Sequence, residues 1–281
     1  MSDLQSVSIG ELMVGPGYPV RLMSVVNLSP ESFYKSTVAD SIEKFHQMIA
    51  LAAEEGADIV DIGGASTAPK NVYGTPDITV DEELGRVTSA LESIKVSGYP
   101  PLSIDTTSSR VAEAALDLGV SLVNDISGFH ADSKMAELVA DRGVPVVLMA
   151  NCGKPCRSVQ AALQSLRDSF NMARNAGIES EKIIIDPGIG FGKPPEVDIA
   201  ILRELDLFAE LGHPLLVGVS RKAFIGHILD QPNPDDRLIG SLVAATIAVL
   251  RGANVVRTHD VEETKIAVQM SDILRVSTRS D

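Results

Sequence analysis

Residues 54–64, Glu54-Glu55-Gly56-Ala57-Asp58-Ile59-Val60-Asp61-Ile62-Gly63-Gly64, compress a folding unit into one line of text: EEGADIVDIGG. The polar end of a helical stretch reaches a glycine, and a short apolar run follows that stops on a carboxylate. Helices commonly end on a residue in the left-handed conformation, which glycine adopts without strain. The same junction recurs as VSGYPPLSIDT (96–106), DLGVSLVNDIS (117–127), DRGVPVVLMAN (141–151), NAGIESEKIIIDPG (175–188), ELGHPLLVGVSRK (210–222) and RGANVVRTHD (251–260). That makes seven, and RLMSVVN (21–27) supplies an eighth strand at the start.

The segments between junctions carry helical spacing. Ile42, Phe45, Ile49, Ala52 and Ala53 fall three and four apart, as do Val111, Ala114, Ala115 and Leu118, then Ile266, Met270, Ile273 and Leu274. Each set predicts a helix burying one stripe. The runs IVDI, VPVVLM, KIIID and PLLVGV are almost continuously apolar, as in strands covered on both faces. Strict alternation of strand and helix implies parallel strands with right-handed crossovers, and eight such units close into an α/β (β/α)8 TIM barrel. An open doubly wound sheet would leave edge strands. The expectation is a single domain over 1–281, with 1–19 as an N-terminal extension or leading hairpin.

Composition narrows the function. Hydrophobic residues make up 44% of the 281, aromatics only 4%, and Trp is absent, so the core is aliphatic. With 38 acidic against 24 basic side chains the net charge is −14, which argues against a nucleic-acid or anionic-membrane surface. The most apolar run, LIGSLVAATIAVL, falls short of the ~20 residues a membrane span needs. The N-terminus lacks the pattern of a signal peptide, so a soluble cytoplasmic protein is expected. Cys152 and Cys156 have no third ligand nearby, and in a reducing compartment they read as two free thiols.

In a parallel barrel the active site lies at the carboxyl ends of the strands. Those ends are Asn27, Asp61, Asp105, Asn124 with Asp125, Asn151, Asp186, Ser220-Arg221-Lys222, and Arg257 with His259. Each alone is a good turn residue or helix cap. A ring of them points to a shared space. DPGIGFGK (186–193) is the odd member, a carboxylate at the mouth of a glycine-rich loop ending in lysine. It fits neither the P-loop nor the dinucleotide template. A carboxylate there suits a flat heterocycle rich in donors, such as a 2-amino-4-oxo ring, with Asp105 and Asn124 on its other edges. Lys222, Arg257 and His259 make a basic group suited to phosphate or pyrophosphate.

MSVVNLSPESF, DIVDIGGAST, LSIDTTSSRVAEAAL, VNDISGF, IIIDPGIGFGK, LVGVSRKAFIG and RLIGSLVAATIAVLRGANVVRTHDVEET, in that order, resemble the dihydropteroate synthases and the wider pterin-binding barrel family from about Arg21 to the last helix. The resemblance implies a transferase that joins 6-hydroxymethyl-7,8-dihydropterin pyrophosphate to p-aminobenzoate or a related arylamine in folate or related cofactor synthesis. It implies pterin contacts from Asp105, Asn124, Asp186 and Lys222, with Asp61, Ile126 and Met149 lining the slot. Asn27, Arg257 and His259 would hold the pyrophosphate, Asn27 also placing Mg2+. Thr67, Pro69, Phe191 and Ser220 would meet the acceptor. Lys222, Arg257 and His259 carry the catalytic expectation, since in this chemistry the bond to pyrophosphate lengthens early and charge must be stabilised. The family is commonly a homodimer through its last helices.

The chain departs from that pattern on the acceptor side. Tyr34-Lys35-Ser36-Thr37 stands where the family has Ser-Asp-Gly-Gly, Ala68 replaces an arginine, and LMANCGKPC lacks the usual Met-Gln-Gly-Thr-Pro continuation. Alternatives therefore stay open: a ribofuranosyl-aminobenzene phosphate acceptor, a pterin-binding paralogue without condensation, or a pterin-dependent methyltransferase. An unrelated phosphate-binding barrel leaves the convergent carboxylates unexplained.

Overall fold

The computed structural model describes residues 4–30, 34–66, 78–95 and 98–276. A hairpin, β1 (Val7–Ile9) with β2 (Leu12–Val14), leads the chain. The alternating units follow: β3 (Arg21–Asn27), α1 (Ile42–Glu55), β4 (Ile59–Gly63), α2 (Val80–Glu92), β5 (Leu102–Asp105), α3 (Ser109–Asp117), β6 (Leu122–Asp125), α4 (Met135–Arg142), β7 (Val146–Met149) and α5 (Val159–Ala176). Then come β8 (Ile183–Asp186), α6 (Pro195–Arg203), α7 (Asp206–Ala209), β9 (Leu216–Gly218), α8 (Ala223–Leu229), α9 (Leu238–Leu250), β10 (Val255–Thr258) and α10 (Val261–Val276). The glycines of the recurring junction act as expected at Gly56, Gly143 and Gly177, which cap α1, α4 and α5 in the left-handed conformation.

The eight strands β3–β10 pair in parallel, in the order β8-β7-β6-β5-β4-β3-β10-β9. The remaining gap closes through a single bridge between Ile185 and Leu215, with the Ile185 amide donating to the Pro214 carbonyl at 2.9 Å. This is the (β/α)8 barrel.

The period of two along each strand divides its side chains between two cores. Val60, Ile62, Leu102, Ile104, Val123, Leu148, Ile185, Val217 and Val256 pack outward against the helices. Met23, Ile59, Leu122, Val147, Ile184, Leu216 and Val255 point inward and form the barrel floor, and the hairpin residues Val7, Ile9 and Val14 plug it from below. Further along six of the strands, the same inward register carries Asp61, Asp105, Asn124, Met149, Asp186 and Arg257. Floor and site are successive layers of one column.

Two helical expectations are corrected: Ile42, at the start of α1, is 45% exposed while the rest of its stripe is buried or half-buried, and the stripe on α10 is reversed. Ile266, Met270, Ile273 and Leu274 do not face the barrel; they are 68%, 60%, 69% and 48% exposed. α10 buries the opposite side instead, through Val261, Thr264, Val268 and Ser271. α9 behaves alike, burying Ser241, Ala244, Ala245 and Ala248 while Ile239 and Val243 stay exposed. Small residues let these helices approach their neighbours closely, so the larger side chains are left outside. Among the described residues no helix is long and apolar enough to cross a membrane.

Candidate active site

Asp61, on β4, is fully buried and is the hub of the chamber above the floor. Its Oδ2 accepts from Arg257 Nε at 2.7 Å and from Asn124 Nδ2 at 2.9 Å. Arg257 also donates Nη2 to Asp105 Oδ2 at 3.0 Å, so one guanidinium from β10 bridges carboxylates of β4 and β5. Burial alone disfavours the Arg257 charge, but Asp61 and Asp105 outweigh it and hold the guanidinium above its ordinary value. Asp61 Oδ1 and Ser103 Oγ are buried with no hydrogen-bond partner among the described residues, which is unusual for native interiors and marks a layer organised for something other than packing. The register interleaves carboxylates and cations: Arg257, grouped above with the phosphate-binding cations, sits between Asp61 and Asp105.

Asp186 stands at the end of β8. Its Oδ1 accepts from the Gly188 amide at 2.7 Å, and burial raises its pKa against the opposing pull of Lys222. Lys222 follows β9, donates Nζ to the Ile189 carbonyl, and lies 4.3 Å from the centre of the Phe191 ring. Burial lowers its pKa to about 8; Asp186 and Asp198 act against the shift, Arg257 and Lys193 with it. Gly190, at φ 79°, explains the glycine loop, because a Cβ there would overlap the Lys222 side chain. Glycine is present so that Lys222 can cross the loop. The loop's own lysine, Lys193, is buried and donates to the Gly188 carbonyl, away from any phosphate role.

His259, just past β10, is tied to Ser220: Nδ1 lies 2.9 Å from Ser220 Oγ, which also accepts the His259 amide at 3.2 Å. Burial first, then Arg257, Arg221 and Lys222, depress its pKa to about 3. In this site burial and these cations favour the neutral imidazole. Tyr34 meets it edge-on at 5.1 Å, and the Arg221 guanidinium sits 4.6 Å from the Tyr34 ring centre. Arg221 makes a bidentate pair with Asp260, at 2.9 and 2.7 Å, and reaches the Pro234 and Asp235 carbonyls. Its charge is spent on structure. Tyr34 was missed as a neighbour of this group, and only its position in a departing loop could have drawn attention to it.

Asn27, at the end of β3, donates Nδ2 to Thr37 Oγ1 at 3.1 Å, and Thr37 donates in turn to the Tyr34 carbonyl at 3.2 Å. Its Oδ1 lies 3.5 Å from where a Cβ on Gly63 would be. Among the described residues no cluster of three or more His, Cys, Asp or Glu could hold a metal by itself. Met149 is buried beside the Gly188 position, and the Ile126 carbonyl accepts from Asn151 Nδ2 at 3.0 Å. Thr67 and Pro69 lie outside the described residues. Asp125 belongs to the outward register: its oxygens accept from Ser127 and Phe129 amides at 2.8 and 2.9 Å, which pins a turn. Cys152 and Cys156 are not free thiols; they form a disulfide across a Cα distance of 5.4 Å, the turn being folded by Gly153 at φ 68°.

The profile described as pterin binding enzyme matches residues 23–259. The chain is similar to dihydropteroate synthase of Bacillus subtilis (strain 168), 37% identical over 257 residues, 90% of this chain and 88% of that one. To the enzyme of Escherichia coli (strain K12) it is 35% identical over 260 residues, covering 89% of each. Among solved structures, Xanthomonas albilineans dihydropteroate synthase with 4-aminobenzoic acid superposes with a TM-score of 0.85 at 34% identity, covering 99% of this chain and 100% of that one. The Yersinia pestis enzyme with a sulfonamide drug gives 0.87 at 29% identity, covering 97% and 100%. With the barrel and its inward polar layer on the same strands, the chain belongs to the pterin-binding enzyme family.

Proposed function

We propose that this chain, acting as one cytoplasmic barrel domain, is a dihydropteroate synthase-type transferase. It joins 6-hydroxymethyl-7,8-dihydropterin pyrophosphate to p-aminobenzoate and releases pyrophosphate. The observation that carries the reading is the single inward layer in which Asp61, Asp105, Asn124 and Arg257 are hydrogen-bonded to one another. Opposite, Asp186 offers carboxylate acceptors to the two N–H donors of a 2-amino-4-oxo ring edge. Lys222, positioned by Ile189 and Phe191, supplies a donor and a positive charge to the same ring. Met149 and Ile126 bound the slot.

In the reaction the C–O bond to pyrophosphate breaks and its electron pair leaves with the phosphate oxygen. The arylamine nitrogen supplies the pair for the new C–N bond and loses a proton. The chain needs no strong base for this. Its residues stabilise charge: the carboxylates favour positive charge growing on the pterin methylene, while Arg257 and the neutral His259 donate to the departing diphosphate. Ser220 orients His259, and Phe191 with Ser220 borders the acceptor side.

Magnesium fits this site only together with substrate. Asn27 would hold it through Oδ1, its Nδ2 being engaged by Thr37. One amide oxygen is no cage, yet magnesium is commonly held by one or two protein groups plus substrate phosphates. When bound it neutralises charge on the leaving group.

The apolar faces of α9 and α10 support a homodimer. Ile239, Val243, Ile266, Met270 and Ile273 form exposed apolar surface beyond the scattered residues of a typical monomer, and a second copy would bury it. The activity is tested by following pyrophosphate release from the pterin ester with p-aminobenzoate and other arylamines in the presence of Mg2+. Release with p-aminobenzoate supports the reading, and silence with every amine removes it.

A further inference from the structure

Beneath the glycine loop lie two charges that the proposed chemistry does not use. Lys193 is 7% exposed and Asp198, in the first turn of α6, is 2% exposed. Lys193 Nζ donates to the Gly188 carbonyl, and Asp198 Oδ1 accepts from the Gly190 amide at 2.9 Å. Between them Lys222 Nζ donates to the Ile189 carbonyl. Three consecutive residues of the loop are thus each held through a backbone group by a charged side chain, and the three side chains come from different segments.

A loop of this composition needs such ties. Gly188, Gly190 and Gly192 all have positive φ, at 72°, 79° and 72°. Glycines lose more freedom on ordering than other residues and bring no side chains with which to pack. Charge-assisted hydrogen bonds are roughly twice as strong as neutral ones. Lys193 and Asp198 influence each other through space rather than by direct contact, and buried charges are weak evidence for stability, since apolar replacements of similar volume are often neutral or stabilising. Burial lowers the Lys193 pKa and raises that of Asp198, each opposed by the other's charge. A position for the loop, more than stability, is what the pair supplies.

We propose that Lys193 and Asp198 are positioning residues of the pterin site: they fix the Gly188–Gly190 backbone so that Asp186, Ile189 and Lys222 present a set surface to the ring. The inference rests on the functional reading above. Neither residue touches the ring or the reacting atoms. Both act through Lys222, whose surroundings comprise Asp186, Asp198, Arg257, Lys193 and the His259 imidazole, with Phe191 against its ammonium. A plain loop staple and a positioning pair differ in how they affect that ammonium. Removing the Asp198 charge takes away a group that favours protonated Lys222; removing the Lys193 charge takes away one that opposes it.

The test uses the full chain with Mg2+ and saturating p-aminobenzoate, and records kcat/KM for the pterin ester between about pH 6 and 10, where the free-enzyme limb reports Lys222. Asp198→Asn moves the basic limb to lower pH and Lys193→Met moves it to higher pH, each by about half a unit. In both, KM for the ester rises about tenfold while kcat stays within about threefold, as for lost ground-state binding. Limbs that stay with the wild type, or move in the same direction, overturn the proposal. Should a single-charge variant fail to fold, the charge-balanced double variant Lys193→Met/Asp198→Asn decides. It keeps the wild-type limb with a raised KM, and a wild-type KM overturns the proposal. A wild-type chain that releases no pyrophosphate strikes the functional reading itself; wild-type turnover with unaltered variants strikes only this inference.

Discussion

Replacing Asp186 by Asn changes charge and hydrogen-bond polarity with almost no change of shape. The native carboxylate is 7% exposed and already accepts the Gly188 amide through Oδ1. An asparagine that keeps this bond turns its Nδ2 toward the ring, so that a donor faces the donors of the 2-amino-4-oxo edge. A hydrogen bond to a charged group is worth about 1.5–3 kcal/mol, and stranding a buried donor adds to that loss. Together these give about 3–4 kcal/mol, or roughly 100- to 1000-fold in Kd. Isothermal titration of Asp186→Asn with unesterified hydroxymethyl-dihydropterin near pH 7 measures this directly. Thermal unfolding separates the effect from misfolding. Burial raises the Asp186 pKa in the fold, so the folded chain binds this proton more tightly than the unfolded one. Its contribution to stability is therefore fully present below the unfolded pKa and is lost as pH rises through the raised folded value. Burial disfavours the ionised group, and the amide removes that penalty. The variant accordingly melts no lower than the wild type while binding collapses. A Kd within threefold of the wild type, with the melting transition intact, refutes the placement of the ring against Asp186.

Four further outcomes follow from the same geometry. Lys222 is protonated below about pH 8, so kcat/KM for the pterin ester falls as pH rises through that value, and Lys222→Met abolishes the limb. Because its folded pKa is depressed, the unfolded chain binds more protons between about 8 and the ordinary lysine value, and this group's contribution to stability rises with pH across that window. His259, at about 3, stays neutral through the physiological range. His259→Gln, another neutral group, keeps turnover within about tenfold, and an acidic limb near the ordinary histidine value that vanishes in this variant would contradict the assignment. Tyr34→Ala removes the ring between Arg221 and His259; with a contact worth about 1–2 kcal/mol, KM for the ester rises roughly 5- to 30-fold, and titration with plain pterin is unchanged. Ile239→Glu combined with Ile273→Glu shifts sedimentation from dimer to monomer without lowering the melting temperature, and a wild-type chain that sediments as a monomer at tens of micromolar ends the dimer proposal.

The barrel was legible because its punctuation is local. Gly56, Gly143 and Gly177 end helices through their own backbone conformation, and the apolar runs behind them need no knowledge of their neighbours to read as buried strands. Strand ends also announced Asp61, Asp105, Asn124 and Asp186. Adjacent residues were harder to part. Asn124 points into the chamber and Asp125 away from it, and a slip of one residue exchanges such a pair, so the register of β6 against its neighbours had to be seen. The position of Arg257 was hidden for a different reason, since its partners Asp61 and Asp105 lie 196 and 152 positions away in the chain. Helical periodicity revealed a stripe on α10 but not which side of the helix met the barrel. The charge of His259 depended on burial beside three cations, which residue type alone does not encode.

The interleaving of Arg257 with the carboxylates bears on how the proposed reaction would begin. Asp61 is fully buried and holds both Arg257 and Asn124, which ties the guanidinium Nε to the lower part of the chamber. The Nη2 contact to Asp105 lies higher, where a ring edge bearing donors would seek the same acceptor. Under the proposed function, a ring edge at Asp105 would compete with Nη2 for that acceptor, while Nε stays bonded to Asp61. The charge balance bears on the same step. Lys193 offsets Asp198 and Arg221 offsets Asp260, leaving Asp61, Asp105 and Asp186 against Arg257 and Lys222, with His259 neutral. With all three carboxylates ionised, that inner set carries one more negative charge than positive. It suits positive charge growing on the pterin methylene and does not by itself suit a diphosphate, which favours the proposal that magnesium accompanies the leaving group.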